Sequence, residues 1–321
     1  MKKVDIPMVK RNNSNEDKID LVIKEANQLL KNNIITKDND YSGLTYQEII
    51  HEIYNKYEKY HELTKKDLIY IYDIYSYNTE YENEELNLLL GCRDEISDMA
   101  TIFDCYEDQI ATSASQLQDN NDYVVLLDTL NKEYLYNNKG LIDLSRLRYI
   151  AYSAFLDGIT GPYIFRDLES IGGYADFYNF KYVKGCLKYL KSIGGDADFK
   201  NLTDATGLES LERIGNNANF YSLEDSTGLN KLTYIGGYAF FNHLKNARGL
   251  TNLKHIGGDA SFNVLTSSIG LDNLECILGD ANFSALEDIT GFSSLTRVDG
   301  NIFLDKLNEQ DKKILMKKLK K

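Results

Sequence analysis

From about residue 143 onward, apolar and polar positions recur with a period much longer than that of a helix or a strand. The recurring unit reads GLxxLxxIGGxAxFxxLxxxx, and self-similarity of this length marks stacked structural units rather than a globular core. Its isoleucine stands at Ile150, Ile171, Ile193, Ile214, Ile235, Ile256 and Ile277, and Val298 takes the place in the last copy. Six of the seven steps are 21 residues, and the step from Ile171 to Ile193 is 22 because Cys186 follows Gly185 as an insertion. The alanine recurs at Ala154, Ala175, Ala197, Ala218, Ala239, Ala260 and Ala281, closed by Ile302. Two residues further on stand Phe177, Phe199, Phe220, Phe241, Phe262 and Phe283, with Leu156 and Leu304 at the two ends. A weaker copy of the AxFxxL spacing is read in Val125, Leu127 and Leu130, which starts the array near residue 120.

The stretch xAxFx alternates with period two and predicts a brief strand, Ala and Phe inward and the x positions outward. One copy cannot bury its own Leu, Ile and Phe, but successive copies stacked as parallel strands close a continuous core. At about 4.8 Å per strand, eight copies give a sheet roughly 35–40 Å long. The paired glycines, such as Gly194-Gly195, predict tight turns. Where the pair breaks, at Asn216-Asn217, asparagine is the residue that best tolerates left-handed geometry. Most outward positions are polar, as a solvated face requires. Phe155, Phe240 and Phe303 break that rule, and Tyr178, Tyr221 and Tyr238 gather near the middle with Phe240. Cross-strand packing is one reason for such aromatics. Interface hot spots are the other, and they make Tyr174, Asp176, Tyr178, Asp198, Tyr221, Tyr238, Phe240 and Phe303 the candidate partner-binding set.

Residues 1–119 lack the period. Residues 1–14 are polar and read as a loose end, and 15–119 as an acidic, Tyr-rich helical domain. Residues 17–33 place Ile19, Leu21, Val22, Ala26, Leu29 and Leu30 at helical spacing. Thr45 with Glu48 forms a capping box ahead of a second helix, Thr64 caps a third, and a further short helix is expected within 93–113. The array then occupies 120–304. Residues 305–321 read as a basic capping helix with Asn308 as N-cap and Ile314, Leu315 and Leu319 sealing the last coil. Six lysines in its last ten residues would alternatively suit an anionic lipid or nucleic acid. The fold class is therefore α+β: a small N-terminal helical domain, then a parallel-sheet solenoid of about eight coils with a C-terminal capping helix.

At its repeat residues the chain resembles leucine-rich-repeat proteins, and more closely the short-repeat relatives that look like receptor L domains. It departs from the common leucine-rich unit in lacking a regular Asn ladder after the strand and in using Phe and Ala as strand residues. The resemblance covers about 120–304 and implies a recognition scaffold, hence binding and not catalysis. Residues 67–78 and 91–113 look similar to an uncharacterised prokaryotic or phage helical module, which implies no function.

Charge refines the picture. The chain carries 49 acidic and 36 basic residues. Residues 1–119 hold 24 acids and 13 bases, a net of −11, whereas 120–321 hold 25 and 23, a net of −2. Such an acidic chain argues against direct nucleic-acid binding, where affinity comes from Lys and Arg on phosphates. The acids concentrate over 80–108, where Glu80, Glu82, Glu84, Glu85, Asp94 and Asp98 form the candidate acidic surface. They read either as a solvated helix face or as a surface for a basic partner. No 20-residue apolar run occurs, so no membrane span is expected, and four widely spaced cysteines suggest a reducing, cytoplasmic setting. Composition hints at a bacterial or viral origin.

Catalytic chemistry has little support. His51 and His61 do not share a helix face, and His243 and His255 fall at unrelated repeat positions and read as surface residues. Cys92 and Cys105 have no base positioned beside them. The GGDA stretches lack a second regular calcium ligand, so no metal and no cofactor are expected. The leading expectation is a non-enzymatic protein-binding scaffold that uses the outward sheet face, its partner unidentified. An acidic inhibitor of a nucleic-acid-binding enzyme, of anti-defence type and acting through 80–108, is the alternative. An enzyme with its site in the helical domain is the third.

Overall fold

The computed structural model describes residue 41 and residues 44–72, 83–156 and 165–319. The chain divides into two compact units, one of Met1–Tyr72 with Tyr81–Arg93 and one of Asp73–Glu80 with Asp94–Lys321. The helix expected over 17–33 lies outside the described residues.

In the first unit, α1 spans Tyr46–Tyr60, α2 Lys65–Ile71 and α3 Glu84–Gly91. The capping box expected at α1 is present: Thr45 Oγ1 accepts from the Glu48 N–H, and the Glu48 carboxylate accepts from the Thr45 N–H at 2.7 Å. Thr64 caps α2 through the same reciprocal contact with Asp67. Ile49, Ile50, Ile53, Leu68, Ile71 and Leu89 are buried between these helices. Asp67 is buried among them, bonded by the Tyr41 hydroxyl at 2.5 Å and by Lys56.

The second unit begins earlier than the repeat pattern indicates. Helix α4, Glu95–Phe103, belongs to it, and the first strand, Ile110–Ala111, pairs in parallel with Val125–Leu126. Leu126 then pairs with Ile150, and Leu130 with Ala154. The degenerate copy is therefore framed by Leu126 and Leu130, in place of Val125, Leu127 and Leu130. The Ile-to-Ala spacing across the turn fixes the frame, and the strand alternation alone does not.

Each full coil contributes two short strands rather than one. Two-residue strands ending at the isoleucine build a ten-stranded parallel sheet, the isoleucine sheet. Two-residue strands starting at the alanine build a nine-stranded parallel sheet, the alanine sheet. Like pairs with like throughout the middle of the array: Ile193 with Ile214, Ile214 with Ile235, Ala197 with Ala218, Ala218 with Ala239. The extra residue at Cys186 leaves this register intact, since Ile171 still faces Ile193 and Ala175 faces Ala197. Gly185 absorbs it at φ 82°, a conformation open to glycine, and Cys186 turns inward and is buried.

The interior is continuous. Phe177, Phe199, Phe220, Phe241, Phe262 and Phe283 stack as a ladder with centroids 4.8–5.3 Å apart and planes within 3–16° of parallel. The side between the alanine sheet and the next isoleucine is built from bends in which Asp204, Asp225 and Asp288 each accept from a backbone N–H two residues on. Coils approach so closely there that a Cβ on Gly291 would lie 1.8 Å from the Ser268 carbonyl oxygen. That steric limit holds glycine at this column.

Helix α5, Glu309–Leu319, closes the far end, with Asn308 Oδ1 accepting from the Asp311 N–H at 2.9 Å. Leu315 is buried and Leu319 packs on the core, but Ile314 is 52% exposed and does not take part in the seal. Lys318 instead donates to the carbonyls of Phe292 and Ser293, so one of the terminal lysines is spent on the cap.

Candidate functional site

The outward positions of the alanine sheet fall into three columns along the array. The first, directly before each alanine, is structural to a degree the sequence reading did not anticipate. The Ser153 hydroxyl accepts from the Tyr174 N–H, Asp196 from Asn217, Asn217 from Tyr238, Asp259 from Asp280 and Asp280 from Asn301, at 2.6–3.0 Å. A ladder of short polar side chains thus links coil to coil at the turn before the alanine strand. It also leaves no room for a side chain at Gly237, Gly279 and Gly300. A Cβ on Gly279 would sit 2.2 Å from Asp259 Oδ1, in the space the ladder occupies. The left-handed role expected at Asn216-Asn217 is absent, since among the described residues only His61 and Asp104 are non-glycines at positive φ. Asn217 is there for its acceptor oxygen.

The second and third columns, together with Tyr174 and Tyr238 of the first, carry the candidate site. Tyr178, Tyr221, Tyr238 and Phe303 are exposed at 39, 41, 47 and 45%. Tyr174, Asp176, Asp198 and Phe240 are half-buried. The aromatics pair with each other and stay open to solvent: Tyr238 meets Phe240 edge-on at 6.1 Å, and Phe155 meets Tyr174 at 5.6 Å. Tyr221 packs edge-on with His243 at 4.7 Å. Asp176 and Asp198 are register partners on adjacent strands. Burial first, and then the neighbouring Asp176, push the Asp198 carboxyl above its usual range. The Tyr174 hydroxyl is pushed up to about 12 by burial and by Asp176, Asp198 and Asp196.

Charge is segregated between the two sheets. Over the three outward columns of the alanine sheet, the described residues include Asp176, Asp196, Asp198, Asp259, Asp280 and Asp305 against Lys200 alone. The two positions before each isoleucine carry Arg148, Lys191, Arg213, Lys254 and Arg297 against Glu169, Glu212 and Glu275. An array near neutral in total therefore presents one acidic and one mildly basic side.

The residue before each isoleucine forms a column that sequence reasoning missed. Arg213 lies 4.1 Å over the Tyr234 ring, Tyr234 stacks on His255 at 4.8 Å, and His255 Nδ1 is 2.9 Å from Cys276 Sγ. Burial, with Arg213 and Arg297 behind it, lowers the His255 pKa, while burial raises that of the Cys276 thiol. Both are neutral near pH 7, so the pair is a hydrogen-bonded contact and does not hold a thiolate poised for attack. The signal for it was the column itself: the repeat places position before position, which puts His255 beside Cys276.

The described acidic candidates fall in both units. Glu80 and Glu82 lie outside the described residues. Glu84 is exposed and Glu85 pairs with His51 at 2.8 Å in the first unit, whereas Asp94 and Asp98 belong to the second. Asp94 caps α4, accepting from the Ile96 and Ser97 N–H groups. Asp98 is 4% exposed and is no surface residue, because it lies on the face of α4 that also buries Met99 and Ile102. Among the described residues, no three His, Cys, Asp or Glu side chains converge as a metal site, and no helix is long and apolar enough to cross a membrane. Comparison with known protein families, curated proteins and solved structures finds no match to this chain.

Proposed function

We propose that this chain is a non-enzymatic binding protein whose solenoid presents the alanine-sheet face to a protein partner. The observation that carries this reading is the set of aromatic side chains held open on a rigid sheet whose other outward positions are polar. Tyrosine and phenylalanine leave water at little conformational cost, and such residues dominate binding energy at interfaces. Phe240 lies in a strand paired on both sides, and Tyr238 directly precedes that strand, so these side chains are ordered before a partner arrives and little entropy is lost on contact. The leucine-rich-repeat resemblance points the same way, toward recognition by a repeat surface. The inhibitor reading is weaker, since Asp98 is buried and Asp94 is engaged as the cap of α4.

The test is capture of partners from a cell extract by the full chain, followed by affinity measurement with the purified partner. Tyr221→Ala combined with Phe240→Ala is expected to weaken binding at least tenfold with the circular dichroism spectrum unchanged. Affinity within twofold of the parent would remove the sheet face from consideration.

A further inference from the structure

The alanine-sheet face is not merely aromatic. It is the acidic side of a charge-segregated array, and its acids lie among its aromatics. Asp176 and Asp198 sit on adjacent strands, with Tyr174 and Tyr178 two residues to either side of Asp176. We infer that the partner segment seated on this face is an extended, lysine- or arginine-rich stretch of polypeptide, an inference that rests on the proposed use of this face for binding.

Three observations support this choice of occupant. Six aspartates face one lysine across the outward columns, so an anionic partner is repelled and a cationic one attracted. The face also holds an internal example of the contact: Lys200 Nζ lies 5.5 Å from the centroid of the Tyr178 ring, in a setting that also feels Asp198. A cation over a tyrosine face, with a carboxylate near, is the arrangement that a lysine or arginine of the partner would repeat at Tyr221 and Tyr238. The dimensions agree as well. From the coil of Asp176 to that of Asp305 is six strand steps, about 29 Å at 4.8 Å per step, and ten residues of extended chain span about 33 Å. Burial first, and then Asp176, Asp198 and Asp196, raise the Tyr174 pKa on the same face.

The experiment uses the full chain and a fluorescein-labelled deca-lysine peptide, with binding followed by anisotropy at 50 and 300 mM NaCl. Deca-glutamate is the control. Deca-lysine is expected to bind, deca-glutamate not, and the higher salt is expected to weaken binding at least fivefold because it shortens the screening length. Asp176→Asn with Asp198→Asn is expected to raise Kd at least fivefold. Asparagine keeps the Oδ1 that accepts from the Tyr178 and Lys200 N–H groups, so the fold is retained. Glu212→Gln with Glu275→Gln makes the same change of net charge on the isoleucine-sheet side, and its Kd is expected to stay within twofold. Equal weakening by the two double variants would show attraction to net charge alone and overturn the proposal, as would absence of deca-lysine binding. If deca-lysine fails while Tyr221→Ala with Phe240→Ala still abolishes capture of the natural partner, the cationic assignment falls and the binding face stands. If neither ligand responds to changes on this face, both fall.

Discussion

At the scale of single residues, the same side-chain type performs different work according to its column. Phe220 lies between Phe199 and Phe241 with rings 5.1 and 5.2 Å away, wholly buried. Phe220→Ala removes an aromatic from a stack that coils on both sides hold in place, so the cavity cannot collapse. A loss of about 3–5 kcal/mol in urea unfolding is expected. Asn219, one residue earlier and outward, bonds Asp198 at 3.1 Å in a half-exposed site, and Asn219→Ala is expected to cost below about 1 kcal/mol. Equal shifts in the two variants would contradict the inward and outward assignment. Both roles are legible from alternation. Asp67 is not, because its partners Tyr41 and Lys56 come from 26 and 11 residues away and follow no period. Burial pushes its carboxyl up, but bonds from Lys56, Tyr41 and the Thr64 N–H outweigh that and hold it below the usual carboxylate range. A depressed folded pKa means its stabilisation is complete above the unfolded value of about 4 and is lost as pH falls through the folded value. Asp67→Asn is therefore expected to destabilise the helical unit by about 3 kcal/mol at pH 7, since it leaves the half-buried Lys56 without its charge partner. The gap from the parent should narrow below about pH 4 in far-ultraviolet circular dichroism melts. A gap independent of pH would show that Asp67 acts only by packing.

At the scale of elements, the coil is the unit of both structure and stability. Its register survives a one-residue insertion at Cys186 because the turn at Gly185 takes up the extra length before the next strand begins. It survives loss of the second glycine at Asn216 too, since the ladder needs acceptor oxygens from the position that follows, which Asn217 supplies. Deleting a whole coil, Gly257 through Ile277, joins Ile256 to Leu278 and keeps every inward position inward. The shortened chain is expected to fold with a lower melting temperature, because array stability is approximately a sum over neighbouring coils. Deleting one residue fewer, Gly257 through Cys276, shifts the strands beyond the cut and turns their inward side chains out. That chain is expected to lose cooperative melting; two deletions that melt alike would refute a register-locked array. The caps were partly legible. Asn308, Leu315 and Leu319 follow from capping chemistry and helical period, but the same period admits Ile314 as an apolar neighbour, and only the direction from which the last coil approaches α5 leaves it in solvent.

At the scale of the whole molecule, the repeat makes an unusually large part of the fold readable, while leaving its surfaces undetermined. A net charge of −2 over residues 120–321 gives no hint that six aspartates and one lysine line one sheet while five bases and three acids line the other. Summed charge discards position, and position is what a partner meets. The unit boundary shows the same limit: α4 and the strand Ile110–Ala111 join the array without carrying its motif, because a terminal coil needs only to match its neighbour's edge. The sequence by itself determined the period, the eight-coil stack, the inward Ile, Ala and Phe columns and the capping helix. Each of these follows from a local rule, burial of apolar side chains at a fixed spacing, repeated until it admits one solution. Only the tertiary structure decided that each coil makes two strands, that the column before each alanine bonds coil to coil, and that His255 meets Cys276. Those depend on how far the chain turns between strands, a quantity set by contacts between coils and not by the order of residues within one.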